Sequence, residues 1–480
     1  MSAAVETLPP PPSYSDPTIE LDNDVDALDV SALASELPAY TPGSRVSATP
    51  RRVVARQTEP KEFSHELKNR NGKPFAVLTI IAEGAYSKQI PTFIEGMPVK
   101  GRVRLILEKP DTIQSVVVSV TGKVITGYVE EDDQVKFVNV PSTLWSLSDG
   151  KPQNTTSEVG SSSPAVSSPD FTGKLQGTYT WPFSIDIPKE VILPSGPQKE
   201  PKVFNPPETF NERYARVSVC YGVSVRFTRG KLRPNHKIQA TIGYMPMTRP
   251  PPLLDLRRLA YQQGTPLLGP TIDPEGWSAT ESVQVQGNLN NRTVQVGCTL
   301  FLAKPLSYTR GSLIPFCLRL ESGDEQALDM LSTPKAIILR LNRRVSYVWN
   351  MEGKSFKASA SKDTIDQSQL AVWWQSTEGS EAPGRTRIRF VNGELHLRPD
   401  VKPSCAMAHF RIEYSLVLFP FESPDFTSTG TAPLINHPID IVSSYAPGPR
   451  PMKFAPPGYE PDTGIVAAQN PSTLVNLGFI

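Results

Sequence analysis

The sequence predicts an all-β protein, two tandem antiparallel β-sandwiches between disordered, proline-rich tails. Three observations carry that expectation. Apolar and polar residues alternate with period two through long stretches, as half-buried strands require. One alternating unit recurs in the same order in the second half of the chain. Prolines crowd into the flanks and connections rather than the alternating stretches.

The clearest stretch is residues 93–122. Val99, Val103, Leu105 and Leu107 share one side of a strand whose other side carries Lys100, Arg102, Arg104 and Glu108. Lys109, Pro110 and Asp111 are expected to make the turn after it. Val116, Val118 and Val120 form the next buried face, with Ser115 and Ser119 outward, and Gly122 marks a bend or a close backbone contact. In the second copy, residues 308–311 echo residues 93–96. Ile314, Leu318 and Leu320 fall where Val99, Val103 and Leu105 fell, and Ile337, Leu339 and Leu341 repeat Val116, Val118 and Val120. A third match follows in order: Ala215, Val217, Val219 and Tyr221 alternate as do Phe410, Ile412, Tyr414, Leu416 and Leu418.

Residues 1–60 are rich in Pro, Ser and acid and hold few large apolar groups, so they are expected to remain disordered. Every charge from Glu6 to Glu36 is negative, and Arg45, Arg51, Arg52 and Arg56 follow as a basic cluster. Two short pieces of this tail are sharper. Pro11-Pro12-Ser13-Tyr14 is a PPxY motif, extended upstream by Pro9 and Pro10 in a run that favours polyproline II. Leu37-Pro38-Ala39-Tyr40 is the related LPxY form. In the C-terminal tail, residues 446–480, Pro456-Pro457-Gly458-Tyr459 is a second PPxY within extended, uncovered sequence. Such motifs suit capture by a WW domain: pre-extended prolines lie in an aromatic-lined groove and the tyrosine fills a neighbouring pocket, so little ordering entropy is lost. One PPxY arises easily in a proline-rich chain, whereas three motifs outside the alternating parts form a pattern.

The first β-rich unit is placed at residues 61–248. Residues 146–170, rich in Ser, Pro and Gly, read as an inserted loop, and Ser163-Pro164 and Ser168-Pro169 within it have the form of sites for proline-directed kinases, against the plainer reading of an unmodified loop. Phe183, Ile185 and Ile187 then share a face that closes at Pro188. Residues 249–280 are the linker. Leu253, Leu256 and Ala260 have helical spacing there, beside Arg257 and Arg258, and are expected to pack between the two units; contact with a membrane surface is the alternative. The second unit is placed at residues 281–445, with Val294, Val296, Cys298, Leu300 and Leu302 in alternation.

Composition narrows the partners. With 49 basic and 48 acidic residues the chain has no overall pull toward nucleic acid or anionic membrane, and no nucleic-acid partner is expected. The four cysteines lie far apart without a CxxC pair, no secretory signal is recognisable, and the longest apolar run, residues 76–82, is too short to cross a bilayer. A cytoplasmic location, with at most peripheral membrane contact, is the resulting expectation. Asn154-Thr155-Thr156 and Asn291-Arg292-Thr293 match the glycosylation sequon, which has no role in that compartment.

Signatures of catalysis are missing from the sequence. It contains no GxSxG, Walker, GxGxxG or HExxH pattern, and His65, His236, His396, His409 and His437 do not pair at metal-ligand spacing. No catalytic residue, metal site or cofactor is expected. Paired carboxylates of the glycosidase type are spatial rather than sequential, so a β-sandwich hydrolase stays open as an alternative.

The ordered patterns, flanked by PPxY motifs, resemble the α-arrestins, the arrestin-related trafficking adaptors known especially from fungi. The carriers are residues 96–101 with 103–107 and 113–122, Tyr179-Thr180-Trp181-Pro182-Phe183 through Pro188, residues 308–315, Gly393-Glu394-Leu395, and residues 410–418. The resemblance implies two immunoglobulin-like sandwiches joined by a short hinge, no catalytic site, and use as an adaptor. It implies that the tail motifs recruit a WW-domain HECT-type ubiquitin ligase while the sandwiches engage integral membrane cargo such as transporters or receptors for ubiquitination and endocytosis at the plasma membrane or endosomes. Ligase binding then falls on Pro11, Pro12, Tyr14, Leu37, Pro38, Tyr40, Pro456, Pro457 and Tyr459. A retromer-like structural subunit of a sorting coat, which shares the architecture and needs no WW ligands, is the competing reading.

Overall fold

The computed structural model describes residues 59–69, 71–84, 86–126, 134–152, 173–196, 198–212, 215, 217–230, 233–347, 369–376, 387–408 and 410–457. The fold is all-β. The first half holds β1 (Pro60–Lys68), β2 (Pro74–Glu83), β3 (Thr92–Ile94), β4 (Val99–Asp111), β5 (Ile113–Thr126), β6 (Gln134–Ser146), β7 (Leu175–Ile185), β8 (Val191–Ser195), β9 (Glu200–Phe204), β10 (Phe210–Asn211), β11 (Val217–Arg229) and β12 (His236–Met245). The second holds β13 (Trp277–Ala279), β14 (Val283–Leu289), β15 (Arg292–Ala303), β16 (Ser307–Thr309), β17 (Leu313–Ser322), β18 (Leu339–Tyr347), β19 (Val372–Gln375), β20 (Arg387–His396), β21 (Cys405–Met407), β22 (Phe410–Leu418), β23 (Phe426–Ser428) and β24 (Ile435–Val442).

In the first sandwich β1-β2-β4-β7 form one sheet and β3-β12-β11-β5-β6 the other, with β10 added against β11. Their inner faces meet where alternation predicts: Val99, Val103, Leu105, Val116, Val118 and Val120 are all fully buried. Each such side chain contributes about 1.5–3 kcal/mol by leaving water. Phe75 on β2 meets Phe227 on β11 edge-on, with ring centroids 5.7 Å apart, tying the two sheets together. Pro182 lies inside β7, which is tolerated because β7 is an edge strand with no ladder to feed on its outer side. A Cβ on Gly122 would stand 2.9 Å from the rings of Phe137 and Tyr221, so the glycine marks a close approach; the β5–β6 register also shifts there.

The second sandwich repeats this wiring. Its sheets run β19-β20-β17-β15-β14-β23 and β16-β24-β22-β18, so β14-β15-β17-β20 stand in the order of β1-β2-β4-β7, and β16-β24-β22-β18 in the order of β3-β12-β11-β5. The echo between residues 93–96 and 308–311 has a structural meaning. β3 and β16 are three-residue strands that pair in parallel with β12 and β24, the last strands of their units, and each is followed by a glycine at positive φ, Gly96 at 84° and Gly311 at 74°. Asn290 and Asn291, met in the sequence as part of a sequon, are the left-handed pair (φ 48° and 63°) that turns β14 into β15.

Two local expectations fail. Lys109, Pro110 and Asp111 do not form a turn but finish β4 as an irregular stretch, between the pairs Leu107↔Gly177 and Asp111↔Leu175. The chain changes sheets at Thr112. Asp111, almost fully covered, is held there by Arg229 at 2.8 Å and Arg233 at 2.7 Å, and this pairing overrides the local turn chemistry. In the linker, helix α1 (Asp255–Gln263) forms, but its buried stripe is Arg257, Ala260 and Tyr261, while Leu256 is 47% exposed. The buried guanidinium of Arg257 decides the rotation: Nη1 donates to the Lys304 carbonyl, Nη2 donates to the Gly276 carbonyl at 2.6 Å, and the group lies over the Trp277 ring. A second helix, α2 (Glu325–Leu331), is capped by Asp324, whose side chain accepts from the Ala327 amide. No helix among the described residues is long and apolar enough to cross a membrane.

Candidate functional site

Two features of the fold stand where function is to be sought: the seam joining the sandwiches, and the segment that leaves β24. The seam is built by the stretch before β10, whose Pro206, Pro207 and Glu208 are buried, Glu208 facing the second sandwich. Glu208 Oε2 accepts from Arg310 Nη1 at 2.7 Å and Oε1 accepts from Lys402 Nζ at 2.8 Å. Arg310 sits in the turn after β16 and Lys402 in the connection before β21. Beside them Arg343 on β18 grips Glu212 through two parallel bonds of 2.7 Å, a geometry only a guanidinium provides. Phe210 and Phe410 close the apolar part of the seam with ring centroids 5.1 Å apart. At its far end Thr248 and Ser443 exchange backbone-to-hydroxyl bonds, Thr248 N to Ser443 Oγ and Ser443 N to Thr248 Oγ1, both at 3.0 Å.

Burial shapes the chemistry of this region. The Tyr221 hydroxyl, donating to the Pro207 carbonyl at 2.7 Å, is pushed well above its ordinary pKa, chiefly by desolvation. Desolvation likewise pushes the Cys405 thiol up to about 12. Neither group is a nucleophile at neutral pH. Among the described residues no group of His, Cys, Asp and Glu converges to hold a metal ion. A concavity of about 560 Å³ forms a basin on the outer face of the β1-β2-β4-β7 sheet, lined by Ser64, Thr79, Arg102, Arg104 and Thr180.

Beyond β24 the sequence reads as uncovered, and the structure differs. Residues 443–457 run back over the linker helix as a strap. The Tyr445 hydroxyl donates to the Gly311 carbonyl at 3.4 Å, Arg450 lies over the Tyr445 ring at 4.6 Å, and Phe454 stacks on Tyr261 of α1 with the rings 6.4 Å apart and 4° from parallel. The Phe454 amide donates at 2.8 Å to Oε1 of Glu394, a carboxylate only 2% exposed whose other oxygen faces His396 Nε2 at 3.1 Å. The composition of the segment, proline-rich and polar, hides this: one aromatic ring and one amide do the anchoring.

Of the residues singled out for ligase binding, Pro456 and Pro457 lie at the end of this strap, the first half-buried and the second exposed. Pro11, Pro12, Tyr14, Leu37, Pro38, Tyr40 and Tyr459 lie outside the described residues, as do Ser163 and Ser168. The seam charges Glu208, Glu212, Arg310, Arg343 and Lys402 were not visible as a site in the sequence, because each pair joins positions more than a hundred residues apart.

Comparison with known proteins bears on the first sandwich. A search of curated proteins found no match. Residues 83–241, which run from the end of β2 into β12, match the family model described as arrestin (or S-antigen), N-terminal domain. That match lies on the first of two sandwiches wired alike, and the first sandwich is an arrestin-like domain.

Proposed function

We propose that this protein is a non-enzymatic trafficking adaptor, which recruits a WW-domain HECT-type ubiquitin ligase through its tail motifs and presents integral membrane cargo, transporters or receptors, for ubiquitination and endocytosis. The observation that carries the reading is the combination of an arrestin-type first sandwich, repeated in its wiring by a second, with three PPxY or LPxY motifs in the sequence before β1 and after β24. A binding module with two sandwiches and peptide-like ligands on its flanks suits bridging, with one surface for cargo and the flanks for the enzyme that modifies it.

The test is capture of a HECT-type ligase by the full chain and by the variant Tyr14→Ala, Tyr40→Ala, Tyr459→Ala. Linked motifs raise one another's effective concentration, so single changes are expected to weaken capture modestly and the triple change to abolish it, with the melting temperature unchanged. Undiminished capture by the triple variant would refute the tyrosine assignment. Failure of the unaltered chain to bind any WW domain would favour the coat-subunit reading.

A further inference from the structure

The leucines of the linker helix are not where packing would put them. Arg257, held beneath α1 by two carbonyls and the Trp277 ring, turns Leu256 and Leu259 outward. At i and i+3 they are neighbours on the solvent side, and Leu259 is 46% exposed. Leu254 before the helix, Leu268 and Ile272 in the loop behind it, and Met452 on the strap are exposed as well, Ile272 to 63%. The loop is tied under the helix by Trp277 Nε1 donating to the Leu268 carbonyl at 2.9 Å, and Met452 Cε stands 3.9 Å from where a Cβ on Gly264 would be, at the helix C-terminus. Seven of the eleven large apolar side chains exposed among the described residues lie between residues 247 and 272 or on the strap. Folded surfaces scatter such residues singly, and a concentration of them marks a face that something else covers.

We propose that α1, the loop behind it and the strap form a docking surface for a membrane containing anionic lipid. The proposal goes beyond the adaptor reading and does not depend on it. Charge points to the occupant. In these segments Arg249, Arg258, Arg450 and Lys453 are exposed against Asp255 and Glu275, so cations flank the apolar side chains and match lipid phosphates. Shape agrees. The cavity between strap and body is lined from α1 by Arg257 and Tyr261 and by none of the six exposed groups, which project from the helix, the loop and the strap instead of lining a groove that a protein segment could fill. The backbone suits a headgroup layer too: residues 246–276 hold seven prolines, and a proline has no N–H that needs a partner on leaving water. A helix lying in the interface with apolar side chains toward the acyl boundary and cations at the phosphates is the resulting arrangement. With few groups of each kind, the anchoring is reversible and needs both terms.

The experiment is co-flotation of the full chain with vesicles of phosphatidylcholine, either alone or with about 30% phosphatidylserine, at about 0.1 M salt. Binding to the anionic vesicles is expected to be at least about tenfold tighter than to the neutral ones and to weaken as salt rises. Leu256→Ser together with Leu259→Ser should lower affinity for the anionic vesicles about tenfold, because neither position then gains from leaving water. Arg249→Gln together with Arg450→Gln should remove most of the preference for anionic lipid. The two leucines fill no core, so the melting temperature of their variant should match that of the unaltered chain. Ile192→Ser on β8, a position still more exposed but outside the patch, should leave binding as it was. No preference for anionic vesicles, full binding by the leucine variant, or an equal loss with Ile192→Ser overturns the proposal. So does a dimer that depends on the two leucines and forms without any vesicle binding, which would assign the face to a second copy of the chain.

Discussion

Glu208 of the first sandwich and Arg310 of the second meet at 2.7 Å across the seam, the two side chains only 9% and 12% exposed. Lys402 takes the other carboxylate oxygen, so one buried acid neutralises two cations. Removing the acid leaves the largely covered Arg310 and the partly exposed Lys402 (12% and 23% exposed) without their shared counter-charge, which is the costly way to break such a cluster. Glu208→Gln is therefore expected to destabilise the protein by about 3–5 kcal/mol, read as a lower melting temperature and a lower denaturant midpoint. Loss of no more than about 0.5 kcal/mol, the scale of ordinary surface changes, would show that the seam is solvated in solution.

Acid should weaken the fold before its carboxylates titrate. His65, His236 and His437 all have pKa values below the ordinary 6.5, each chiefly through desolvation, with Arg229 adding to the effect at His236. A histidine held below its unfolded value binds fewer protons folded than unfolded, so its stability contribution is complete above pH 6.5 and is lost as pH falls through the folded values. Thermal melts between pH 8 and pH 5 should be flat down to about 6.5 and fall below it. His437→Gln should flatten part of the slope.

Gly393 on β20 carries two aromatic rings where a side chain would be. A Cβ there would stand 2.2 Å from Phe316 and 2.7 Å from Trp373, whose rings are themselves in contact at 4.6 Å. Gly393→Ala is expected to cost about 1–3 kcal/mol through overpacking, with the Trp373 fluorescence altered. A neutral result would mean that the two rings can separate without penalty.

Alkylation tests the interior. Burial pushes the Cys298 thiol up to about 12, so the native protein should leave it unmodified by iodoacetamide at pH 8 and expose it only on denaturation. Peptide mapping of native and denatured samples distinguishes the outcomes.

The strands were readable because the signal for a half-buried strand is local. Val99 to Leu107, Val116 to Val120 and Phe410 to Leu418 each declare their buried side by alternation, and pairing then places them in register. What depends on distant partners was not readable. Asp111 reads as a turn residue until Arg229 and Arg233 are known to face it. Helical spacing located α1 but put Leu256 on the packed side, because an apolar period does not anticipate an arginine buried by two carbonyls and an indole ring. The strap was missed for the same reason. A single Phe454 among prolines shows no periodicity, and its partners Tyr261 and Glu394 belong to a helix and a strand far upstream.

The parallel pairing of β3 with β12, and of β16 with β24, has a consequence for the order of assembly during synthesis. The edge opened by Thr92 waits for Gly243, and the edge opened by Ser307 waits for Asp440, so neither sandwich can be completed until nearly its whole length has left the ribosome. Pairings of such span are slow to form, and the unfinished sheets offer bare edges to other chains meanwhile. A chain cut short before residue 435 would carry that open edge permanently. Such a truncation is expected to aggregate or to occupy chaperones rather than persist as an independent first sandwich with a loose appendage.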